Sequence, residues 1–283
     1  MHILYIHQYF FPLVGSGNNR SYELAREWVS AGHSVTMLTS TAYFPTHLCS
    51  NQAQEKMEID GIEVIALDIR YSHMMRFRER VLAFLAFYKK GMAAAKALPQ
   101  PDLIYASSTP PTVGEMGRKL SKHWRIPYVF ETVDVWPDVP IGMGIVKNPL
   151  LKAWLHLRVN RIYKAAAKIV ALSDGMKLQI LKHGIADEKV LVSYNGTSLN
   201  AFPFRQRMPD DKLTIIYTGT VGLANGVHIL ADVSKLLEAD GIENVDFIVL
   251  GAGNDLERVK AYSVSRKVKN IQFLDAVPKE EVA

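Results

Sequence analysis

The sequence predicts an α/β protein built of two parallel-sheet domains, the second of them incomplete. Three observations carry this expectation. Short apolar runs alternate with amphipathic stretches along nearly the whole chain. Glycine-containing loops follow several of the runs. A polar, proline-containing segment from Gly196 to Lys212 divides the pattern, which sets domains at 1–200 and 201–283. Strands alternating with helices argue for parallel sheets with helices on both faces.

The elements follow in order. His2–His7 is an apolar run that reads as a strand. Residues 18–31 show helical spacing of Leu24, Ala25, Trp28 and Val29, and the helix stops at Gly32. Ser34–Leu38 and Ile62–Leu67 are the next strands, and residues 75–97 form a long helix. Leu103–Ala106, Tyr128–Glu131 and Lys168–Leu172 are further strands, with helices at 112–123, 149–167 and 175–183. Leu191–Tyr194 closes the first domain. The second begins with strand Leu213–Tyr217, helix 227–239, strand Val245–Leu250, helix 254–266 and strand Asn270–Leu274. A helix start is expected at Pro278. So few strands of a parallel sheet leave apolar face uncovered, and the domain reads as truncated.

Composition sets outer bounds. The 283 residues are 48% hydrophobic and 22% charged, as in a soluble globular protein with a sizeable core. The longest apolar run, Val81 to Tyr88, is eight residues, far short of the ~20 needed to span a bilayer. The N-terminus lacks a basic stretch and a small-residue cleavage site, so no signal peptide is expected. Cys49 is the only cysteine, which excludes intrachain disulfides and fits the cytosol. The net charge of +5 is unevenly spread. Residues 70–96 hold seven Lys/Arg and one acid, and residues 139–173 hold six and none. The rest of the chain is therefore acidic, and the two basic segments point to an anionic partner at one surface.

Three glycine loops lie between a strand and a helix: Gly15-Ser16-Gly17-Asn18, Gly219-Thr220-Val221-Gly222, and Gly251-Ala252-Gly253. Glycines let backbone N–H groups approach a phosphate, and a helix N-terminus favours its charge. Each loop alone reads equally well as a plain turn. Their matching positions at the carboxyl ends of strands favour a phosphate-bearing ligand. The first is not a dinucleotide fingerprint. Arg20 stands where a third small residue belongs, and the second strand ends in Thr39-Ser40 with no acid for a ribose. A further cluster, Glu131-Thr132-Val133-Asp134-Val135-Trp136-Pro137-Asp138, directly follows a strand. Carboxylates there can orient a sugar or take a hydroxyl proton, and Trp136 offers a flat face. In the plainer reading the acids cap the next element or pair with Arg. His7 reads as a hydrogen-bonded structural histidine, and no two histidines share metal-ligand spacing on one element.

The ordered set resembles the large retaining glycosyltransferase family 4, with its GT-B architecture of two facing Rossmann-like domains. The motifs are Tyr9-Phe10-Phe11-Pro12 with Gly15 to Arg20, Gly32-His33-Ser34-Val35-Thr36, Ser107-Ser108-Thr109-Pro110-Pro111, Glu131 to Pro137, Ala171 to Met176, and Tyr194-Asn195-Gly196. Tyr217-Thr218-Gly219-Thr220 and Leu250 to Asn254 follow in the second domain. The nearest likeness is to the bacterial branch that builds O-antigen and capsule units, including fucosamine-type transferases.

The resemblance implies transfer of an N-acetylated amino sugar, with retention, from a UDP-linked donor to a lipid-linked saccharide. It implies no cofactor and no metal. Donor contacts fall on Gly15, Ser16, Gly17, Asn18, Asn195, Gly196, Gly219, Thr220, Gly222, Asn225, Gly251 and Gly253. Glu131 and Asp134 fall near the acceptor hydroxyl as the catalytic pair, and Trp136 on the acceptor. Two departures stand out. Val221 and Asn225 occupy places where many members carry phosphate-binding Arg and Lys, and the second domain has no Glu-x7-Glu.

With a lipid-linked acceptor implied, the basic segments read as docking to the inner face of the plasma membrane from the cytoplasm. Each helix alone reads as core-facing with a solvated basic face. Nucleic acid is not an expected partner, since no binding module accompanies the charge. A non-catalytic nucleotide-sugar- or lipid-binding subunit is the alternative from another class. An epimerase or NAD oxidoreductase is disfavoured by the missing ribose acid and the absent Tyr-x3-Lys pair.

Overall fold

The computed structural model describes residues 1–10, 20–44, 49, 52–71, 75–142, 144, 146–196 and 212–277. The chain divides into two units, Met1–Gly196 and Thr197–Ala283, against the expected boundary after residue 200. The expected helix start at Pro278 and most of the linker lie outside the described residues.

The first unit is an eight-stranded sheet. Its strands are β1 (His2–Ile6), β2 (Ser34–Ser40), β3 (Gln54–Ile59), β4 (Ile62–Leu67), β5 (Leu103–Ser107), β6 (Tyr128–Thr132), β7 (Lys168–Ala171) and β8 (Val190–Val192). Their order is β3-β4-β2-β1-β5-β6-β7-β8. Every pairing is parallel except β3 with β4. The parallel strands are buried on both faces, so they read in sequence as continuous apolar runs.

Strand β3 was not expected from the sequence. Its residues alternate Glu55, Met57 and Ile59 with polar neighbours, as suits an edge strand. The hairpin to β4 turns at Asp60-Gly61, both with positive φ (48° and 77°). Asp-Gly is a preferred pair for the turn whose twist matches its flanking strands. The chain's one Glu-x7-Glu spacing, Glu55 and Glu63, falls on this hairpin, and Glu63 there accepts a hydrogen bond from Thr36.

Side chains alternate across the sheet and form two apolar layers. Ile3, Tyr5, Met37 and Val64 pack with Tyr22 and Ala25 of α1 (Arg20–Ser30). Leu4, Ile6, Leu38 and Ile104 face the other way. They meet Phe87 of α2 (Phe77–Lys96), Met116 of α3 (Thr112–Trp124) and Ile162 of a helix that opens after Asn148. Before that helix comes α4 (Asp138–Gly142), a single short turn that the sequence does not predict. The helix itself is α5 (Pro149–Ala165), and α6 (Asp174–Leu181) follows. Asn148 caps α5 by accepting from the backbone N–H of Leu150 and Leu151, with Pro149 as its first residue. Ser173 caps α6 in the same way.

The second unit carries a parallel three-stranded sheet, β9 (Leu213–Thr218), β10 (Val245–Leu250) and β11 (Ile271–Leu274), in spatial order β11-β10-β9. Helices α7 (Ile229–Ala239) and α8 (Leu256–Ser265) connect the strands. Val221, Val227, Val249 and Val259 form its core. The edge strand β9 leaves Leu213, Ile215 and Ile216 exposed.

Candidate functional site

In the first unit, the carboxyl ends of β5 and β6 lie side by side, with Ser107 opposite Glu131. That register brings two sequence motifs together. The N–H of Ser108 donates to the Glu131 carbonyl, and its hydroxyl accepts from the N–H of Val133. Thr109 donates to the Asp134 carboxylate at 2.9 Å, and Thr132 donates to the Asp134 carbonyl. The segment Glu131–Asp134 is thus held in place by the Ser-Ser-Thr run after β5.

Glu131 and Asp134 sit in different surroundings. Glu131 is 1% exposed. One carboxylate oxygen accepts from the Arg20 Nε and the Tyr105 hydroxyl, both at 2.9 Å, and the other from Ser107 at 2.6 Å. Burial, reinforced by the Glu131 charge, holds the Tyr105 phenol well above its ordinary pKa, so it remains a donor. Arg20 continues to the far side, donating to the Tyr194 carbonyl at 2.9 Å and the Ser193 hydroxyl at 3.0 Å. Asp134 is exposed. It lines a cavity of about 470 Å³ together with Thr109 and Trp136.

The walls of that cavity are mainly apolar: Phe84 and Tyr88 of α2, and Trp154, Val159 and Ile162 of α5. Lys119 and Arg158 enter it as cations. Lys119 lies over the Tyr88 ring at 5.3 Å, and Arg158 over Trp154 at 5.4 Å. Glu115 also reaches the cavity. Burial favours its neutral acid, but two hydrogen bonds from Arg118 outweigh this and hold its pKa below the ordinary value. Around the cavity, α2 exposes Leu82 and Leu85, and α5 exposes Leu150, Leu151, Trp154 and Leu157. Leu150, Trp154 and Leu157 share one face by spacing. Val159, Ile162 and Tyr163 of the same helix are buried. The core-facing reading of α5 therefore accounts for only one of its two apolar faces.

Other expected site residues fall elsewhere. Gly15, Ser16, Gly17 and Asn18 lie outside the described residues. Asn195 and Gly196 are exposed, directly after the Tyr194 carbonyl that Arg20 holds. In the second unit, the loops after β9 and β10 run against each other. Gly219 N–H donates to the Leu250 carbonyl and Val221 N–H to the Ala252 carbonyl, both at 3.0 Å. Gly219, Thr220 and Asn225 are exposed and Gly222 is half-buried. Arg20, Tyr105 and Thr109 were not singled out as site residues in the sequence. Gln8 is another such residue. It lies at the carboxyl end of β1, wholly buried, and its side-chain amide has no partner among the described residues.

One ring nitrogen of His7, Nδ1, is buried without a hydrogen bond among the described residues. Burial lowers its pKa to about 4, against the opposing pull of Glu131. The unfolded chain therefore takes up this proton near pH 6.5 and the folded chain only near 4. Stability present above pH 6.5 is lost as the pH falls through this window, by roughly 3 kcal/mol for a shift of this size. Denaturant unfolding at pH 7 and pH 4.5 should show this loss in the parent and a smaller one in His7→Gln. Equal losses in the two proteins would show that His7 carries none of it.

A family model for the glycosyl transferase 4-like domain matches residues 15–196. That is more than half of the chain. The chain belongs to this glycosyltransferase family. Among solved structures, Anabaena Alr3699/HepE in complex with UDP-glucose shares 19% identity at a TM-score of 0.63, covering 99% of this chain and 70% of that one. Sucrose-phosphate synthase from Thermosynechococcus elongatus shares 14% at 0.68, covering 100% and 72%. WaaG, a glycosyltransferase involved in lipopolysaccharide biosynthesis, shares 14% at 0.58, covering 97% and 70%. At these identities the likeness shows the GT-B fold. A search of curated proteins finds no match.

Proposed function

We propose that this glycosyltransferase-family protein moves an N-acetylated amino sugar from a UDP-linked donor to a lipid-linked saccharide in cell-surface polysaccharide synthesis, with retention and without a metal at the transfer step. The observation that carries the acceptor half is the apolar cavity with Asp134 at its edge. An apolar chamber flanked by Lys119 and Arg158 suits a lipid bearing phosphate, and Trp136 offers a face for the sugar. HepE, of the same fold, binds UDP-glucose. The exposed loops after β9 and β10 are the matching place for a donor diphosphate in this chain.

The two carboxylates take different roles in this reading. Asp134, exposed and oriented by Thr109, holds the acceptor hydroxyl. The leaving phosphate assists its deprotonation. Glu131 is a positioning residue, since both of its oxygens are occupied by Arg20, Tyr105 and Ser107. The test is transfer from UDP-N-acetylhexosamines to a polyprenyl-diphosphate saccharide, with UDP binding followed by calorimetry. Asp134→Asn should lower kcat at least ~100-fold, in the range typical of lost acid–base or orienting groups, with UDP affinity unchanged. Undiminished transfer would remove Asp134 from the site. UDP binding with no transfer to any acceptor would favour the binding-subunit reading instead.

The exposed apolar residues of α2 and α5 stand among Arg78, Lys89, Lys152 and Arg158, a combination that supports peripheral membrane docking. No helix among the described residues is long and apolar enough to cross a membrane. Vesicles containing phosphatidylglycerol should float the protein, and neutral ones should not. Each basic side chain near the leaflet adds about 1 kcal/mol. Binding should fall in high salt and in a Leu82→Ser/Leu150→Ser/Trp154→Ser variant. Equal flotation with neutral vesicles would overturn the electrostatic part.

A further inference from the structure

Asp138, the last acid of the cluster after β6, has no role in the proposed sugar transfer. The fold places it beside two histidines from other elements. His183, just past α6, sets its Nε2 2.8 Å from one Asp138 carboxylate oxygen. His156 of α5 sets its Nδ1 3.8 Å from the other. One ligand atom from each of the three side chains falls within 4.8 Å of the other two. No two of these residues share an element, which is why spacing along the sequence does not reveal the group.

We propose that Asp138, His156 and His183 bind a divalent transition cation of the zinc class. The environment of His183 is the strongest argument. Its Nδ1 lies 2.7 Å from the Asn160 side-chain oxygen, an acceptor placed to hold the Nδ1 proton when Nε2 binds a cation. Nε2 and the carboxylate oxygen 2.8 Å from it can then both turn a lone pair to the ion. A cation between them satisfies both. This is the outer-shell arrangement that fixes the tautomer of a metal-binding histidine.

The distances suit it. Tetrahedral zinc with bonds of about 2.0–2.1 Å keeps its ligand atoms about 3.4 Å apart. Each histidine nitrogen is nearest a different oxygen of the carboxylate, at 2.8 and 3.8 Å, and the three ligand atoms lie within 4.8 Å of one another, so side-chain rotation must draw them together around the ion. The Tyr163 ring packs edge-on to His183 at 5.5 Å and holds its plane. His156 is 37% exposed, which leaves an entry path and a fourth position for water. Two imidazoles and one carboxylate favour zinc, cobalt or nickel over magnesium or calcium.

The consequence is structural. Asp138 opens α4 and directly follows Pro137, so the cation joins the segment carrying Asp134 and Trp136 to α5 and to the end of α6. This inference does not depend on the donor or the acceptor.

The test uses untagged full-length protein titrated with Zn²⁺ by calorimetry and with Co²⁺ by visible absorption. One Zn²⁺ per chain is expected, with ligand-field bands for Co²⁺ and a thermal midpoint that rises with Zn²⁺. His183→Ala and His156→Ala should each weaken binding at least tenfold. Asn160→Ala should weaken it ~10–100-fold, and Cys49→Ser should leave it unchanged. His156→Ala keeps the Asp138–His183 contact, so it reports on the site even if His183→Ala folds poorly. Absence of saturable binding, or affinity unchanged in His156→Ala, overturns the proposal.

Discussion

Replacing Arg20 with alanine is expected to cost about 3–5 kcal/mol of folding stability, because it strands a buried carboxylate. The Arg20 side chain is 11% exposed and that of Glu131 1%. Without the guanidinium, Glu131 keeps the hydroxyls of Tyr105 and Ser107 as its side-chain donors among the described residues. The loss is not confined to one contact. Arg20 begins α1, Glu131 lies near the end of β6, and the Tyr194 carbonyl follows β8, so one side chain ties three elements of the sheet's carboxyl edge. Arg20→Lys should recover only part, since an ammonium lacks the planar fork that serves three acceptors at once. The double variant Arg20→Ala/Glu131→Gln should be more stable than Arg20→Ala, because the stranded charge is gone. Denaturant unfolding of the four proteins measures this directly. A cost below about 1 kcal/mol for Arg20→Ala would mean that water reaches Glu131 and that the pair behaves as a surface ion pair.

The same residue shows what the sequence made legible. Arg20 was visible as the wrong residue for a dinucleotide loop, but its partner is 111 positions away. Pairing them requires the strand order β1-β5-β6, which periodicity along one segment does not contain. The central strands were easy by contrast. β1, β4 and β10 are buried enough to appear as apolar runs, and β10 was placed with its observed ends, Val245 and Leu250. Strand β3 was missed because four of its six residues are polar, although Asp60-Gly61 marked the hairpin. Helix α4 spans only five residues, too few for a 3.6-residue period to show. Helix α5 was legible as basic and apolar. Its two separate apolar faces were not, since opposed faces cancel the asymmetry that reveals an amphipathic helix.

The acidic segment after β6 was found by position alone, as charged residues following a buried strand. Its internal division was beyond the sequence. Glu131, Asp134 and Asp138 look alike as letters. The fold buries the first against Arg20, exposes the second at an apolar cavity, and sets the third against two histidines. The glycine loops show the converse. Sequence reads them as ligand turns, while the structure gives two of their glycines a packing role whether or not a ligand binds.

That packing role makes Gly253→Ala the second large expected effect. A Cβ at residue 253 would stand 2.0 Å from the Val221 carbonyl oxygen, and one at residue 251 would stand 1.9 Å from that of Gly219. Both obstacles are backbone, so no side-chain rotation relieves them. Neither carbonyl can easily retreat. The Val221 carbonyl accepts from the N–H of Asp255 at 3.1 Å, and the N–H groups of Gly219 and Val221 are bound to the carbonyls of Leu250 and Ala252. Overpacking usually costs about 1–3 kcal/mol, and a backbone collision belongs at or above the top of that range. Val221 also belongs to the small core of the second unit, so a shift of its loop is felt in Val227, Val249 and Val259. Gly253→Ala should therefore unfold the second unit at lower denaturant while the first unit's transition stays in place. Gly142→Ala, where a Cβ meets nothing within 4 Å, is the control and should be neutral or slightly stabilising. UDP affinity separates the two roles of the loop. If it falls at denaturant-free conditions where Gly253→Ala is still folded, the close approach of the two loops shapes the donor site. If stability falls and affinity does not, the glycines serve packing alone and the donor phosphates are held elsewhere.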